Sequence, residues 1–172
     1  MRIFKFLALL IVIAAVPASA QMLRGHNSKA PVDFDADRIE VQDRADRVVL
    51  SGNVHVSQSG MTLDAARLTV AYAKQGGQSV DVERLDASGG VVVRSSGDVA
   101  RGNFAVYDLN RSLITLIGGV ELNQNGNVLR GGRLVIDLNS GRAVVDGNTV
   151  GGGVSGTTGG RVSGRFTVSQ RN

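Results

Sequence analysis

The sequence predicts an all-β protein assembled from repeated, bent strand pairs. Apolar residues alternate with a period of two in several segments, and one glycine-interrupted segment recurs along the chain. The composition agrees, because the 172 residues include 23 Gly, 2 Pro and only 4% aromatic residues, and the sequence shows no long amphipathic helical pattern. We therefore expect bent strands separated by glycine-containing turns.

The first twenty residues are set apart from this fold. Arg2 and Lys5 precede the apolar run at residues 6–16, which leads into small residues ending at Ala20. This is the pattern of a secretory signal peptide, and the run is shorter than the roughly 20 residues that a membrane span needs. Cleavage near Ala20 removes two basic and no acidic residues, which lowers the net charge from +4 to +2. That charge is too small to indicate binding to nucleic acid.

The repeats are preceded by a polar segment and by one strand candidate. Residues 21–31 are the polar segment, and residues 32–41, VDFDADRIEV, are the candidate strand. Its acidic residues disfavour unregulated pairing of an exposed sheet edge. The repeats then extend to residue 146, so we assign residues 32–146 to one β domain.

One long strand motif occurs three times in the sequence. The segment at residues 47–60, RVVLSGNVHVSQSG, reappears at residues 112–126 as SLITLIGGVELNQNG, and a middle copy contains Gly89 where these contain Gly52 and Gly118. A glycine inside a strand usually marks a bulge or a bend. We therefore interpret Gly52, Gly89 and Gly118 as hinges. Because a single hairpin is only marginally stable, the copies must stack around a common core.

The alternation within each copy assigns one side of every strand to the interior. Ten residues are predicted to face inward: Leu50, Val54, Val56, Leu68, Val91, Val93, Leu116, Val120, Leu122 and Leu134. Two layers of bent strands lined by such side chains enclose a narrow interior. A narrow aliphatic interior suits an extended chain as ligand, and a plain packed core is the other interpretation.

The repeat pattern ends before residues 147–172, a glycine-rich and basic tail with a possible last strand at residues 165–169. Gly151, Gly153 and Gly156 match the pattern G-x-G-x-x-G, but no clear strand and helix flank it as a dinucleotide-binding unit requires. The G-K-S/T sequence of nucleotide-binding loops is also missing. We expect no nucleotide cofactor.

No arrangement of residues in the sequence indicates catalysis. The two histidines, His26 and His55, are both expected to be solvated surface residues, since His26 lies in the polar segment and His55 has the outward parity. The absence of cysteine excludes a disulfide framework and a thiolate zinc site. We therefore expect a protein that is not an enzyme.

A calcium loop is disfavoured as well. Asp33, Asp35 and Asp37 imitate the first positions of such a loop, but Arg38 and Arg44 stand where glycine and glutamate are required. We expect no bound metal.

Two stretches resemble a known family. Residues 33–72, DFDADRIEVQDRADRVVLSGNVHVSQSGMTLDAARLTVAY, and residues 99–138, VARGNFAVYDLNRSLITLIGGVELNQNGNVLRGGRLVIDL, are similar to the LptA or OstA-like periplasmic lipopolysaccharide-transport proteins. The marks of the resemblance are the repeated G-x-V after an apolar strand, the hairpin glycine, and the A-V-Y-D sequence that ends at Asp108. The resemblance covers roughly residues 32–146.

The resemblance implies both a fold and a function. The fold is an open twisted β-jellyroll with a V-shaped cross-section, whose groove holds the acyl chains of lipid A and would be lined by the ten inward residues. The function is a non-enzymatic carrier or bridge in the Gram-negative periplasm, conveying lipopolysaccharide from the inner to the outer membrane. Its partners would be an LptC-like inner-membrane protein, an LptD-like outer-membrane protein and further copies joined head to tail.

Two alternatives stay open at this point. One is a structural β-repeat protein that self-assembles around a packed core without a lipid ligand. The other is a membrane-anchored, LptC-like partner of the same fold, which would keep its N-terminal segment instead of losing it.

Overall fold

The computed structural model describes residues 26–74, 76, 80–147 and 160–167. The predicted signal peptide at residues 1–20 lies outside the described residues. Ten strands are present in the described part of the chain: β1 (Asp33–Asp35), β2 (Arg38–Gln42), β3 (Arg47–Gln58), β4 (Met61–Lys74), β5 (Val80–Ser95), β6 (Asp98–Asp108), β7 (Leu113–Gln124), β8 (Asn127–Asp137), β9 (Arg142–Asp146) and β10 (Ser163–Arg165). A 3₁₀ turn at Asp43–Ala45 connects β2 to β3.

All ten strands belong to one antiparallel sheet that does not close on itself. Strands β3 to β8 pair consecutively, each with the next along the chain. The short strands β1 and β2 both pair with β3, and β9 and β10 both pair with β8. The sheet therefore has two free edges, one formed by β1 and β2 and the other by β9 and β10.

A line of irregularities crosses the sheet at the middle of the long strands. The register shifts between Ser51 and Val54 in β3, between Ser88 and Val91 in β5, and similarly in each pair from β3/β4 to β7/β8. A bulge bends its strand and increases the local twist. Because the bulges are aligned from strand to strand, the whole sheet folds along them into two layers, and we call this line the bend.

Every long strand contributes one half to each of the two layers. Layer A contains β2, β9 and the strand halves at residues 47–51, 67–74, 80–88, 104–108, 113–117 and 133–137. Layer B contains β1, β10 and the halves at residues 54–58, 61–64, 91–95, 98–102, 120–124 and 127–131. The strand ends farthest from the bend form what we call the mouth.

The core lies between the layers and consists of aliphatic side chains from every long strand. Alternation along each strand sends these side chains inward and polar ones outward. Tyr107 is the largest of the fully buried side chains, and the four buried alanines Ala65, Ala87, Ala100 and Ala105 keep the layers close together. The all-β class and the open jellyroll architecture are thus confirmed.

Two strand boundaries differ from the sequence predictions. The strand expected at residues 32–41 is divided into β1 and β2, since the chain turns at Asp37, whose amide donates a hydrogen bond of 2.9 Å to the Gly52 carbonyl. The last strand is β10, at residues 163–165, instead of a strand at residues 165–169, and residues 168–169 lie outside the described part of the chain.

Candidate functional site

The interior between the layers contains all ten side chains that the alternation predicts there. None is more than 2% exposed: Leu50, Val54, Val56, Leu68, Val91, Val93, Leu116, Val120, Leu122 and Leu134. The structure brings them into one continuous cluster that extends across β3 to β8. A side chain that is almost inaccessible to solvent touches a ligand only after its neighbours move. If a lipid binds here, the layers must therefore separate.

The bend is held by backbone conformation. Gly52, Gly89 and Gly118 have φ angles of 78°, 86° and 81°, in the left-handed region that other residues occupy at a cost. At Gly89 a β-carbon would also lie 2.6 Å from the Ala66 β-carbon, which is closer than such atoms approach. The conformation of all three predicted hinge glycines therefore fits a bend.

Each hinge glycine is followed by a second residue with positive φ. These followers are Asn53, Gly90 and Gly119, with φ angles of 44°, 78° and 56°. These three residues were not predicted from the sequence, although Gly-Asn and Gly-Gly dipeptides are typical of turns. Two consecutive residues with positive φ therefore occur at all three of these positions in the bend.

At the mouth, the two layers are joined by polar side chains. Gln58 ends β3 in layer B and Tyr107 lies near the end of β6 in layer A, and the Tyr107 hydroxyl donates a hydrogen bond of 2.8 Å to Gln58 Oε1. Gln58 is only 2% exposed. A buried polar side chain needs partners, and Gln58 finds them in Tyr107 of layer A and in the segment that precedes β1.

His26 completes this cluster. Its Nε2 atom lies 3.1 Å from Gln58 Oε1 and 3.2 Å from the Tyr107 hydroxyl oxygen, whereas its Nδ1 atom is buried without a hydrogen-bond partner. Burial holds the pKa of His26 below its ordinary value, partly offset by the bond to Gln58. The expectation that His26 is a solvated surface residue is therefore wrong. It failed because the contacts of His26 join residues far apart in sequence.

His55 lies on the outer surface, as its parity predicts. Its Nδ1 atom is 2.7 Å from Asp64 Oδ1, and Arg94 contacts the other carboxylate oxygen. Burial opposes ionisation of Asp64, but the hydrogen bonds from His55 and Arg94 prevail and keep the pKa of that carboxyl below its usual range. This cluster lies outside the apolar interior, on the face that contacts solvent.

Both free edges expose apolar residues that have the inward orientation. Ile39 and Val41 in β2 lie opposite Leu50 and Val48, so they share the inner face. They are nevertheless 53% and 65% exposed, because no strand covers them. The apolar lining therefore continues to this edge of the sheet.

The other edge repeats this arrangement with different charges. Val162 and Phe166 share the parity of Gly164, which pairs with the inward Leu129, and they are 45% and 65% exposed. Outward charges differ between the two edges in layer B, since β1 carries Asp33 and Asp35 and the β10 segment carries Arg161 and Arg165. One edge of layer B is acidic and the other is basic.

The described residues show neither metal-site nor membrane-helix geometry. Within residues 26–74, 76, 80–147 and 160–167, no three His, Cys, Asp or Glu side chains are close enough to hold a metal ion. No helix in that same part of the chain is long and apolar enough to span a membrane. The candidate site is thus the apolar interior, with its mouth and its two edges.

Comparison with known proteins agrees with this geometry. Residues 33–142 match the family described as LptA/(LptD N-terminal domain) LPS transport protein. The chain belongs to this family. A protein of Rhizobium meliloti (strain 1021), described only as uncharacterized, is 31% identical to it over an alignment of 129 residues, and the match covers 67% of this chain and 69% of the relative. Membership of this LptA-like family supports a role in lipopolysaccharide transport.

A solved structure has the same fold. The chain is similar to the crystal structure of LptH from Pseudomonas aeruginosa, described as the LptA homologous periplasmic component of the lipopolysaccharide transport device, with a TM-score of 0.68 and 20% sequence identity. The match covers 81% of this chain and 97% of LptH. At this identity the likeness shows the fold, the open β-jellyroll of LptA-like proteins.

Proposed function

We propose that this protein is a periplasmic carrier that conveys lipopolysaccharide from the inner to the outer membrane, with the lipid A acyl chains held between layers A and B. The observation that carries the proposal is the apolar interior that runs across six strands and continues to two open edges. A sandwich that serves only as a packed core gains nothing from leaving inward apolar residues uncovered at both ends. A carrier in a chain of carriers needs such ends, because the lipid must pass from one molecule to the next.

The energetics of the ligand support the proposal. Each acyl CH₂ that leaves water for an apolar site contributes roughly 0.8 kcal/mol, so that a chain of about twelve CH₂ groups contributes about 10 kcal/mol. Such a ligand cannot cross water uncovered, and continuous apolar cover removes that barrier. The residues that would contact the acyl chains are the ten interior residues, together with Ile39 and Val41 at one edge.

Site-specific photo-crosslinking tests the proposal. Crosslinkers replace Val56 or Leu122 on the inner face, and matched controls replace their outward neighbours His55 and Glu121 on the same strands. We expect purified lipopolysaccharide to be captured at the two inner positions and not at the two outer ones. Equal capture at all four positions would contradict the assignment of the interior as the lipid site.

The proposal includes joining of the two edges. Strands β2 and β9 both have five residues, and β1 and β10 both have three, so the edges match in length as well as in the charge of layer B. Addition of one strand to another forms main-chain hydrogen bonds between molecules. We propose that copies join head to tail in this way, and that LptC-like and LptD-like partners with related edges occupy the two ends of the chain.

Proline substitutions distinguish the amides of β9 that face the free edge from those that bond to β8. The Leu138 amide donates to the Ser112 carbonyl, 2.9 Å away on the β7 side. Amides alternate in direction along a strand, so the amide of Val135 points to β9. Val144 lies opposite Val135 and points its amide to β8. Ala143 then points its amide to the free edge. We expect Ala143→Pro to abolish concentration-dependent oligomers in analytical ultracentrifugation without unfolding the protein.

Val144→Pro serves as the comparison, because it removes a donor within the β8–β9 pair and should lower stability as well. Oligomers that persist in folded Ala143→Pro would show that the β9 edge is not the joint.

A ligand-free structural filament is the second candidate, since the interior side chains are packed and almost fully buried. Mass spectrometry of the natively purified protein distinguishes the two: copurifying lipopolysaccharide favours the carrier, and intact filaments without lipid favour the structural protein. Determination of the N-terminus in cells tests the third possibility. A protein that begins near Gln21 is not a membrane-anchored partner.

A further inference from the structure

The segment before the first strand lies across the mouth of the sandwich. Gln58 Nε2 donates hydrogen bonds to the backbone carbonyls of Ser28 and Ala30, at 3.1 and 2.8 Å, and the amide of Asn27 donates to the Ser59 hydroxyl at 3.3 Å. Val32 packs against the core. Residues 26–32, which we call the strap, are therefore fixed to the end of layer B at several points.

The strap is also fixed to layer A through the same glutamine. Gln58 Oε1 accepts from the Tyr107 hydroxyl of layer A and lies within hydrogen-bond distance of His26 Nε2 in the strap. One side chain thus connects both layers and the strap. Gln58 lies on the inward side of β3, where the other side chains are apolar. Its polar side chain is therefore unusual for the interior, and its hydrogen bonds make this connection.

Beside the strap lies a cavity of about 650 Å³. The strap forms one wall, including Lys29 and Val32, and the ends of layer A form the other, including Val80, Val82 and Leu109. This volume lies within the roughly 300–1,000 Å³ that is usual for small-molecule sites. Its lining combines apolar side chains such as Val82 and Leu109 with polar ones such as Lys29 and Asn110, which suits the point where an acyl chain meets a polar head group.

The corresponding glutamine in the last repeat has a different partner. Gln124 aligns with Gln58 in the repeat, but its Nε2 atom donates to Asp98 Oδ2 at 3.2 Å, within layer B. The layers are therefore connected by a polar cluster at the β3 end of the mouth.

We propose that the strap closes the mouth of the sandwich in the lipid-free protein, and that an acyl chain reaches the interior when the strap detaches from Gln58 and Tyr107. The proposal rests on the carrier function proposed above. Separation of the layers replaces apolar contacts between them by apolar contacts with the acyl chain. The acyl chain cannot replace the hydrogen bonds of the polar cluster, which must be exchanged for bonds to water, so their rupture controls access to the interior.

A reversible tether tests this. The chain contains no cysteine, so the pair Asn27→Cys and Ser59→Cys forms the only disulfide and holds the strap to the β3–β4 turn. We expect the oxidised protein to take up radiolabelled lipid A, measured by co-elution with the protein, at least tenfold more slowly than the same protein after reduction. The reduced pair and the two single-cysteine variants should match the unmodified protein.

The outcomes separate the two proposals. Equal uptake by the oxidised and reduced proteins overturns the strap as a gate and leaves the carrier function intact. No uptake by the unmodified and reduced proteins overturns the carrier function, and the gate with it.

A second variant reports on the strap without lipid. Gln58→Leu keeps an inward side chain of similar size but removes the donors and the acceptor. We expect amide hydrogen exchange in residues 27–30 to become at least tenfold faster in this variant, while the amides of β6 to β8 keep their protection. Unchanged exchange in the strap would show that Gln58 does not hold it.

Discussion

The bend and the mouth lie at opposite ends of the same strand halves, and different interactions hold them. At the bend, consecutive residues such as Gly89 and Gly90 have backbone angles that few residues adopt without strain. At the mouth, hydrogen bonds among His26, Gln58 and Tyr107 connect the layers and the strap. Glycine tolerates a wide range of backbone angles and can therefore serve as a pivot, whereas the side-chain hydrogen bonds at the mouth can exchange with water. We therefore expect the proposed opening to separate the layers at the mouth and to pivot at the bend.

The largest expected effect is a loss of stability on substitution at the bend. Two adjacent glycines there distinguish the cost of backbone strain from the cost of steric overlap. Gly90→Ala adds a β-carbon that meets no atom within 4 Å, so its cost is the positive φ, about 1 kcal/mol. Gly89→Ala has the same strain and also brings two β-carbons to 2.6 Å, which adds about 1 to 3 kcal/mol of overpacking. Urea unfolding of both variants measures the difference. Equal stability losses would show that the contact with Ala66 does not constrain the bend.

The mouth should respond to pH, with a smaller effect. Burial lowers the pKa of His26 in the closed form, and a protonated Nδ1 would be a buried donor without an acceptor. Gln58 and Tyr107, which hydrogen bond to the ring, are uncharged at neutral pH and offer no compensating charge. Above the ordinary histidine pKa of about 6.5 the ring is neutral in both forms, and as the pH falls below it the detached form binds the proton first. Acid therefore weakens closure.

Hydrogen exchange of the strap amides at pH 7.5 and pH 5, corrected for intrinsic rates, measures this effect. We expect faster strap opening at pH 5 in the unmodified protein and in His55→Gln, whose histidine lies on the outer surface. His26→Gln should lose the pH dependence. A pH dependence that persists in His26→Gln would assign the effect to another group.

The features that repeat were predictable from the sequence. The period of two identified the ten interior residues, because the side of a strand on which a residue lies depends only on parity and on the position of the bulges. The three glycines at the bend were predictable because they interrupt an apolar pattern in the same place three times, and their role as hinges stays a prediction. The residues that follow them, Asn53, Gly90 and Gly119, were not, since this position holds asparagine in the first copy and glycine in the other two and is therefore not constant in the repeat.

The mouth could not be predicted in the same way. The strap belongs to a polar segment without periodicity, and His26 reaches Gln58 and Tyr107 across 32 and 81 positions of sequence. The only indication in the sequence was Gln58, a polar residue at an inward position of β3. One such exception does not identify its partners. The division of the first predicted strand into β1 and β2 likewise depends on the contact of Asp37 with Gly52 in another strand.

The central claim is that lipid binding separates the layers at the mouth, and a distance across the mouth tests it most directly. Spin labels at Glu83 and Ser96 lie near the two ends of β5, one in each layer, and a control pair at Ser96 and Asn125 lies in two turns of layer B. Pulsed electron paramagnetic resonance gives both distances with and without lipid A. We predict that lipid A lengthens the Glu83–Ser96 distance and leaves the Ser96–Asn125 distance unchanged. An unchanged Glu83–Ser96 distance in protein that has bound lipid A would contradict the account.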